Sequence, residues 1–497
     1  MMKQLNSGTR TATLPPLFSL LLCLIMTALA TDTALARAQT LTLPELLQQV
    51  LNHYPSLQSA ALQVERAQQD TVRVESRLGW QLAAQTGIHK DVSLFGSAVN
   101  RINVGSQATR QLISGDTLSM SANISHDDAD TATLPSLANP VTATQINLLY
   151  RKPLTQGKGN NIYNNALTQA DSNYKIQQAR QQLSYDQIAM QLIELYAATL
   201  TTQQRINNIQ QSIKRSQRLQ QFILDRVELG IAEDKDRLQT SAQLDGLKAQ
   251  KEALELAHIK QSIALNRLMA QPWNTTLTLK LAAPERLSGD LDTLIKQASS
   301  HSPALKINDA RIAISDSLIT LQRDQNRDKV DMVLSLGNSS QSGTSQSGSV
   351  NQSELVGGLQ IEYTQSLDQR GNKAALNQAQ LDRSIALQDR KQLNDDLHYD
   401  VAMLMAELKA SQTAIKAYLR SVKSEHKKLD EAEQRYRQGR ITIDQVIQFE
   451  NQTAGSELGL ALQKIEYQRS NNQLELLRGR LWDGVSIPPN LHQGGGE

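Results

Sequence analysis

Few residues in this sequence are spaced as chemistry would require. The segment His126-Asp127-Asp128-Ala129-Asp130 offers side chains that could bind a divalent cation, but it lies between strands, where we expect a solvated loop instead. Gly157-Lys158-Gly159 lacks the spacing and the following hydroxyl of a phosphate-binding loop. The 8 histidines form no close pair suited to a metal site or a catalytic triad. We therefore predict no enzyme, no metal site and no cofactor.

The composition argues against large globular cores. Only 4% of the 497 residues are aromatic and 39% are hydrophobic, enough to cover thin helical seams but little more. The formal charge is +2, with acidic and basic residues interspersed, so we predict no nucleic-acid partner.

Residues 1–36 have the features of a signal peptide. Lys3 and Arg10 give a positive start, and Leu17–Ala30 is apolar but too short to span a bilayer as a helix. We favour cleavage after Ala36, so that the chain is exported. Cys23, the only cysteine, lies in the apolar stretch, where removal with the signal and lipid attachment are the two interpretations.

Two long helical segments each end at a glycine, Gly230 or Gly439. Before each glycine, apolar or small residues recur at alternating steps of four and three, the seam of a coiled coil. The first series is Ile188, Leu192, Leu195, Thr199, Thr202, Ile206, Ile209, Ile213, Ser216 and Ile223, and the second is Val401, Leu404, Leu408, Ser411, Ile415, Tyr418, Val422, Leu429, Ala432 and Tyr436. A new helical pattern follows each glycine, which predicts two long antiparallel hairpins with tips near residues 230 and 439.

The order of elements is helix, strands and long helical hairpin, twice over. We assign residues 37–282 to a first repeat with strands in 80–153, and residues 283–482 to a second with strands in 330–367. Residues 483–497 are predicted to be a flexible tail. Inside the second strand region, 337–353 is rich in Gly, Ser and Gln, and we predict a mobile loop.

The strands alternate apolar and polar residues, as a membrane β-barrel requires. One copy supplies four strands, or six if a hairpin over residues 102–125 joins them. Either number is below the roughly eight strands of the smallest closed barrels, so several chains would have to share one barrel. A soluble β-layer packed on helices is the alternative.

The ordered set of segments resembles the outer membrane efflux proteins typified by TolC, also called outer membrane factors. The resemblance is carried in both repeats by a proline segment, a strand-to-helix junction and a glycine tip: His53-Tyr54-Pro55-Ser56-Leu57 and His301-Ser302-Pro303-Ala304-Leu305, then 150–160 and 363–372, then Gly230 and Gly439. It implies a mixed α/β membrane protein, in which helical hairpins form a tunnel and a few strands per chain join a trimeric barrel.

The resemblance also implies where the chain works and with what. The location is the outer membrane of a Gram-negative bacterium, with a large periplasmic portion and contact with outer-membrane lipid. The partners are two further copies, a periplasmic adaptor and an inner-membrane transporter of the RND, ABC or MFS type. The function that the resemblance implies is export of cargo by efflux or type I secretion, without any chemical change to the cargo. The rival hypothesis is a periplasmic coiled-coil adaptor or structural protein without a pore.

Members of this family close the periplasmic entrance with an acid near the first tip and a tyrosine near the second. The resemblance gives these roles to Asp236 and Tyr436. A hydroxyl donating to a carboxylate contributes about 1–2 kcal/mol, which suits a latch that a partner can open. The alternative is that neither residue belongs to a gate. Tyr436 would then be an ordinary residue of the coiled-coil seam, and Asp236 an acid near a helix N-terminus that the helix dipole favours.

The entrance departs from the best-known member of the family. Where that member has an arginine, this sequence has Ile441, and Arg440 lies one place earlier. Where that member has a pair of aspartates, this sequence has Gln445 and Gln448, and Asp444 lies next to the first of them. Rings of carboxylates attract cations and glutamines do not. We therefore assign Arg440, Asp444, Gln445 and Gln448 to the gate and predict weaker cation selectivity.

The tips are where such channels meet the adaptor. The residues that the resemblance assigns to docking are Leu229, Gly230, Ile231, Gln438, Gly439 and Ile441. Both glycines also suit a left-handed helix end, and the two roles are compatible.

Overall fold

The computed structural model describes residues 40–92, 98–130, 138–231, 233–282, 289–483 and 485. The predicted signal peptide and Cys23 lie outside this part of the chain, as does the predicted tail apart from residues 483 and 485.

The described residues of the first half form six strands and four α-helices. In chain order they are β1 Thr40–Leu41, α1 Leu43–His53, α2 Pro55–Glu75, β2 Trp80–Val92, β3 Ala98–Gln111, β4 Thr117–Ala129, β5 Val141–Pro153, α3 Asn161–Glu228, α4 Asp234–Leu268 and β6 Thr278–Leu279. Those of the second half are α5 Leu291–His301, α6 Pro303–Gln325, β7 Lys329–Ser345, β8 Gly348–Thr364, α7 Arg370–Arg437 and α8 Ile443–Leu477.

The two halves repeat one another in helix length. Helices α3 and α7 each have 68 residues, and α4 and α8 each have 35. Helices α2 and α6 both begin with proline, whose fixed φ suits a first helical position that needs no N–H partner. The internal duplication predicted from the sequence is therefore present in the fold. Among the described helices, none combines the length and the apolar character that crossing a membrane requires.

The chain divides into two compact units, and each draws on both repeats. The sheet-bearing unit comprises Leu51–Glu194, Pro284–Ala417 and Glu466–Glu497, and its helical core includes Leu294, Val401, Leu408 and Leu474, all fully buried. The tip-bearing unit comprises Met1–Val50, Leu195–Ala283 and Tyr418–Ile465, in which β1 and β6 pair in parallel. Its seam residues Ile209, Ser216, Ile223 and Leu429 are buried, as the heptad pattern predicts.

Six strands of the sheet-bearing unit form one antiparallel sheet in the order β2-β3-β4-β5-β7-β8. The hairpin predicted over residues 102–125 is thus part of this sheet, as β3 and β4. Within the described residues the outer edges of β2 and β8 have no strand partner. An open edge carries unpaired backbone groups, which lipid cannot satisfy.

The register sorts the side chains of the sheet onto one apolar and one polar face. Residues directly opposite in antiparallel strands share a face, so a row can be followed across the sheet. One such row is Trp80, Arg110, Leu118, Tyr150, Leu334 and Leu359, and another, further along the strands, is Thr86, Val104, Ile124, Thr144, Ser340 and Ser353. Exposed apolar side chains on this face include Leu82, Ile88, Ile102, Val104, Met120, Ile146, Leu336, Leu359 and Ile361. The opposite face holds amides and hydroxyls.

Aromatic residues mark one end of the apolar face. Trp80 and Tyr150 lie in one row, and Tyr363 lies two rows nearer that end. The Trp80 ring lies 5.9 Å from the Arg110 guanidinium carbon, while the Tyr363 hydroxyl donates to Asp328 at 3.1 Å. Trp80 and Tyr363 are exposed, as aromatic residues of a girdle at the edge of a membrane β-barrel would be.

Two predicted loops are strands instead. Residues 337–343 pair with β5 on one side, and residues 337–345 pair with β8 on the other. The Gly/Ser/Gln-rich segment predicted to be a mobile loop is therefore largely a hairpin of the sheet. The acidic segment 126–130 likewise lies mostly in β4, where Asp127 accepts from Arg101 at 2.8 Å. Both predictions were wrong because backbone hydrogen bonds to neighbouring strands, rather than buried side chains, stabilise these residues.

Candidate gate at the helix tips

Both helical tips have the same left-handed glycine ending. Gly230 has φ +71° and its N–H donates to the Val227 carbonyl at 3.0 Å, while Ile231 donates to Arg226 at 2.8 Å. Gly439 has φ +68° and donates to the Tyr436 carbonyl at 2.9 Å, followed by the bond from Arg440 to Arg435. At each tip this pair of hydrogen bonds gives donors to helix carbonyls that would otherwise lack them.

The two tips differ in what they expose. At the first tip Leu229 is 71% exposed and Ile231 is 60% exposed. At the second tip Ile441 is half-buried, and the exposed residues Gln438 and Arg440 are polar. The first tip therefore exposes an apolar surface and the second a mainly polar one.

Tyr436 lies against Phe222 and Arg226 of helix α3. The ring centroids of Tyr436 and Phe222 are 5.8 Å apart in an edge-on arrangement, and the Arg226 guanidinium carbon is 5.8 Å from the tyrosine ring. Burial raises the pKa of the Tyr436 hydroxyl, with Arg226 opposing the shift and the charge of Asp236 adding to it. Asp236 is thus an electrostatic neighbour, but within the described residues no hydrogen bond joins the two side chains. The latch between them stays a prediction.

The first turns of α4 and α8 are tied together beside this tyrosine. Gln239 of α4 donates its side-chain N–H to the Asp444 carboxylate of α8. Lys235 pairs with Glu233 at 2.8 Å, which raises the pKa of Lys235, and Asp236 and Asp444 add smaller contributions. Two of the predicted gate acids, Asp236 and Asp444, thus both act electrostatically on Lys235.

The other predicted gate residues lie at the surface. The Gln445 side-chain oxygen accepts from the Thr442 N–H at 3.3 Å, which caps the start of α8. Gln448 is exposed, as is Arg440, and Arg440 makes no ion pair with any described residue. These side chains are therefore free to face an ion or another protein chain.

A partly buried network of polar side chains near the tips was not predicted. Arg215 of α3 donates to Glu450 of α8 at 3.2 Å, and Glu457 lies 4.0 Å from the same guanidinium. His426 of α7 lies 2.9 Å from Glu457. Arg215, Glu450, Phe222 and Tyr436 also line a cavity of about 150 Å³. The sequence carries no signal for this network, because its members come from three helices far apart in the chain.

No metal site accompanies the tips. Among the residues that the structure describes, no group of three or more His, Cys, Asp or Glu side chains is arranged to hold a metal ion.

Paired long hairpins with matched tips and a two-faced antiparallel sheet are the features that the resemblance to outer membrane efflux proteins implied. Residues 294–480 match the model of the outer membrane efflux protein family. The resemblance predicted from the sequence is therefore confirmed, and a match to efflux proteins agrees with the prediction that the chain is not an enzyme.

Solved structures agree with this assignment. The outer-membrane channel OprN is 16% identical, with a TM-score of 0.65 over 88% of this chain and 90% of that chain. The outer membrane protein VceC of Vibrio cholerae is 14% identical, with a TM-score of 0.64 over 88% of this chain and 96% of that chain. The CmeC outer membrane channel of Campylobacter jejuni is 12% identical, with a TM-score of 0.62 over 91% and 88%. No curated protein matches the sequence significantly. At these identities the solved structures establish the fold alone.

Proposed function

We propose that three copies of this chain form an outer-membrane channel, the exit duct of a tripartite efflux or type I secretion machine. Cargo passes from a periplasmic entrance at the helix tips through the barrel, without chemistry and without an energy source in the channel. A periplasmic adaptor docks at the tips, and an inner-membrane transporter supplies the driving force.

The observation that carries this proposal is the six-stranded sheet. Its exposed apolar face suits lipid, its opposite face suits water, and its two outer edges have no partner in the described part of the chain. Since an open edge is not tolerated in hydrocarbon, β8 of one copy must pair with β2 of another until the sheet closes. The similar structures are described as channels, which supports the same conclusion.

The entrance residues support a gate that is held weakly. Tyr436 and Asp236 interact electrostatically, and the Gln239–Asp444 contact joins the helix starts beside them. In the assembled trimer these side chains come together around the threefold axis. Adaptor binding at Leu229, Ile231 and the second tip then separates them.

Planar-bilayer conductance tests the proposal. The purified, signal-cleaved protein should give discrete steps, and Tyr436→Phe/Asp236→Asn should give larger ones. Equal steps would keep the channel and discard these gate residues. If neither protein gives steps although both form folded trimers, the channel is wrong and the adaptor or structural hypothesis returns.

A further inference from the structure

The β3–β4 hairpin is an insertion into the duplicated plan. In the second repeat, two strands connect the short helix to the long one: β7 follows α6 and β8 precedes α7. In the first repeat, β2 follows α2 and β5 precedes α3, so these two strands correspond to β7 and β8. Strands β3 and β4, over residues 98–129, have no counterpart in the second repeat.

The inserted hairpin has the two faces of a barrel wall. Ile102 and Val104 of β3, and Met120 and Ile124 of β4, are exposed on the apolar face of the sheet. The intervening residues on the other face are polar: Asn103, Gln107, Thr109, Ser119, Ser121, Asn123 and Ser125. Each strand is also paired along its length, β3 with β2 and β4 with β5. A hairpin that capped or plugged a barrel would not need this continuous register or a lipid-type face.

We infer that this hairpin widens the barrel to eighteen strands, an inference that rests on the trimeric channel proposed above. Six strands per copy give eighteen in a trimer, whereas two strands per repeat would give twelve. Barrel diameter grows about linearly with strand number, so the lumen is roughly 1.5 times wider than without the hairpin. Natural barrels of about 16–18 strands hold an open aqueous channel. The exit therefore suits bulkier hydrated cargo than a twelve-stranded barrel of the same build would.

The polar face matches a wide, water-filled lumen. The four rows that begin at Gln81, Ala83, Gln85 and Gly87 of β2 consist mainly of amides, hydroxyls and small residues, with Leu149 and Val356 as their larger apolar side chains. Glu354 of β8 is the one charged group among the described residues of these rows. Small residues also occur there, including Gly105, Gly337 and Gly358. Such a lining hydrates passing solutes and does not fill the lumen with large side chains.

Deletion of residues 98–129 tests the width. Strand β2 is antiparallel to β5, and Trp80 occupies the same row as Tyr150, so the two strands can pair directly once the hairpin is gone. We would add neutral polymers of graded size on the barrel side of a bilayer and find the size at which they stop entering the channel. The limiting polymer diameter should fall by about a third in the deletion variant.

The outcomes separate the inference from the channel itself. Channel steps with the same polymer limit in both proteins would overturn the wide barrel and leave the channel standing. An absence of steps from both folded trimers would overturn the channel. A deletion variant that does not fold is covered by a second measurement on the full chain.

That measurement uses single cysteines in a Cys23→Ala background. Val104→Cys and Met120→Cys should place a fluorophore where brominated lipid quenches it, while Asn103→Cys and Ser121→Cys should react with a water-soluble reagent. This alternation along the inserted strands is expected for a barrel wall. Equal aqueous reactivity at all four positions would place the hairpin outside the wall and overturn the inference.

Discussion

Arg215 on helix α3 and Glu450 on helix α8 form an ion pair that is nearly closed to solvent. The guanidinium Nε lies 3.2 Å from the carboxylate, and the side chains are only 18% and 11% exposed. Charges removed from water cost free energy unless each has its partner, so this pair makes the packing of α8 on α3 depend on both residues.

Removing one partner of this pair should destabilise the fold. Arg215→Met leaves a buried carboxylate unpaired, and we expect a loss of about 3 kcal/mol in the free energy of unfolding by denaturant. The double variant Arg215→Met/Glu450→Gln should recover much of that loss, since no charge remains buried. Lys248→Met, which breaks an exposed pair with Asp245, is the control and should cost less than about 1 kcal/mol. Equal losses in the single and double variants would contradict the coupling.

Glu450 should also make stability depend on pH. Burial raises the pKa of its carboxyl above the ordinary value of 4.5, Glu433 adds to the shift, and Arg215 and Arg218 oppose it. The folded state thus binds this proton more tightly than the unfolded chain does. Its contribution to stability is fully present below the unfolded pKa and is lost as pH rises through the folded pKa.

The measurement is the thermal midpoint of wild type and of Glu450→Gln from about pH 4 upward. The thermal midpoint of the variant should rise relative to that of wild type as pH rises through the raised pKa of Glu450, because the glutamine amide does not ionise. A difference that is constant over this range would show that Glu450 titrates normally.

Gly230→Val should impair export more than folding. No atom lies within 4 Å of the position that a Cβ would take, so the cost is the left-handed backbone, about 1–2 kcal/mol. The new side chain would change the tip beside Leu229 and Ile231. Gly246→Ala, in open space within α4, is the control: it should leave export unchanged and stabilise the helix by about 0.5–1 kcal/mol. Trimer stability that collapses together with export would leave a docking role for this tip unsupported.

The entrance should be weakly selective among ions. With Gln445 and Gln448 at exposed positions, Asp444 supplies the nearby carboxylate, and its oxygen already accepts from Gln239. Gln445→Asp/Gln448→Asp adds two carboxylates per copy and should shift the reversal potential in a salt gradient toward cations. Selectivity that is the same before and after the change would refute this account.

Glu354 should bias the barrel toward cations. It lies opposite Ser339 on the polar face, and three copies would form a ring of carboxylates in a lining that is otherwise uncharged in the middle rows. Glu354→Gln should reduce cation preference in the same reversal-potential measurement, and Glu354→Asp should retain it. An unchanged potential in Glu354→Gln would show that the lumen is too wide for this ring to act.

Local pattern determined much of this protein from sequence alone. The heptad seams, the two glycine tips, the alternation of β2 and the internal duplication were all predictable, because helix and strand periodicity and left-handed turns depend on neighbouring residues. The resemblance to outer membrane efflux proteins rested on the same ordered features.

Only the tertiary structure decided which distant residues meet. The polar segment 337–343 became a strand because β5 and β8 supply hydrogen bonds on both sides of it, and the 98–129 hairpin joined the sheet by pairing on both of its edges. Tyr436 packs on Phe222 and Arg226, and Arg215 meets Glu450, because the helices that carry them come together side by side. Such pairings depend on strand register and on the rotation of one helix against another, which no local pattern in the chain specifies.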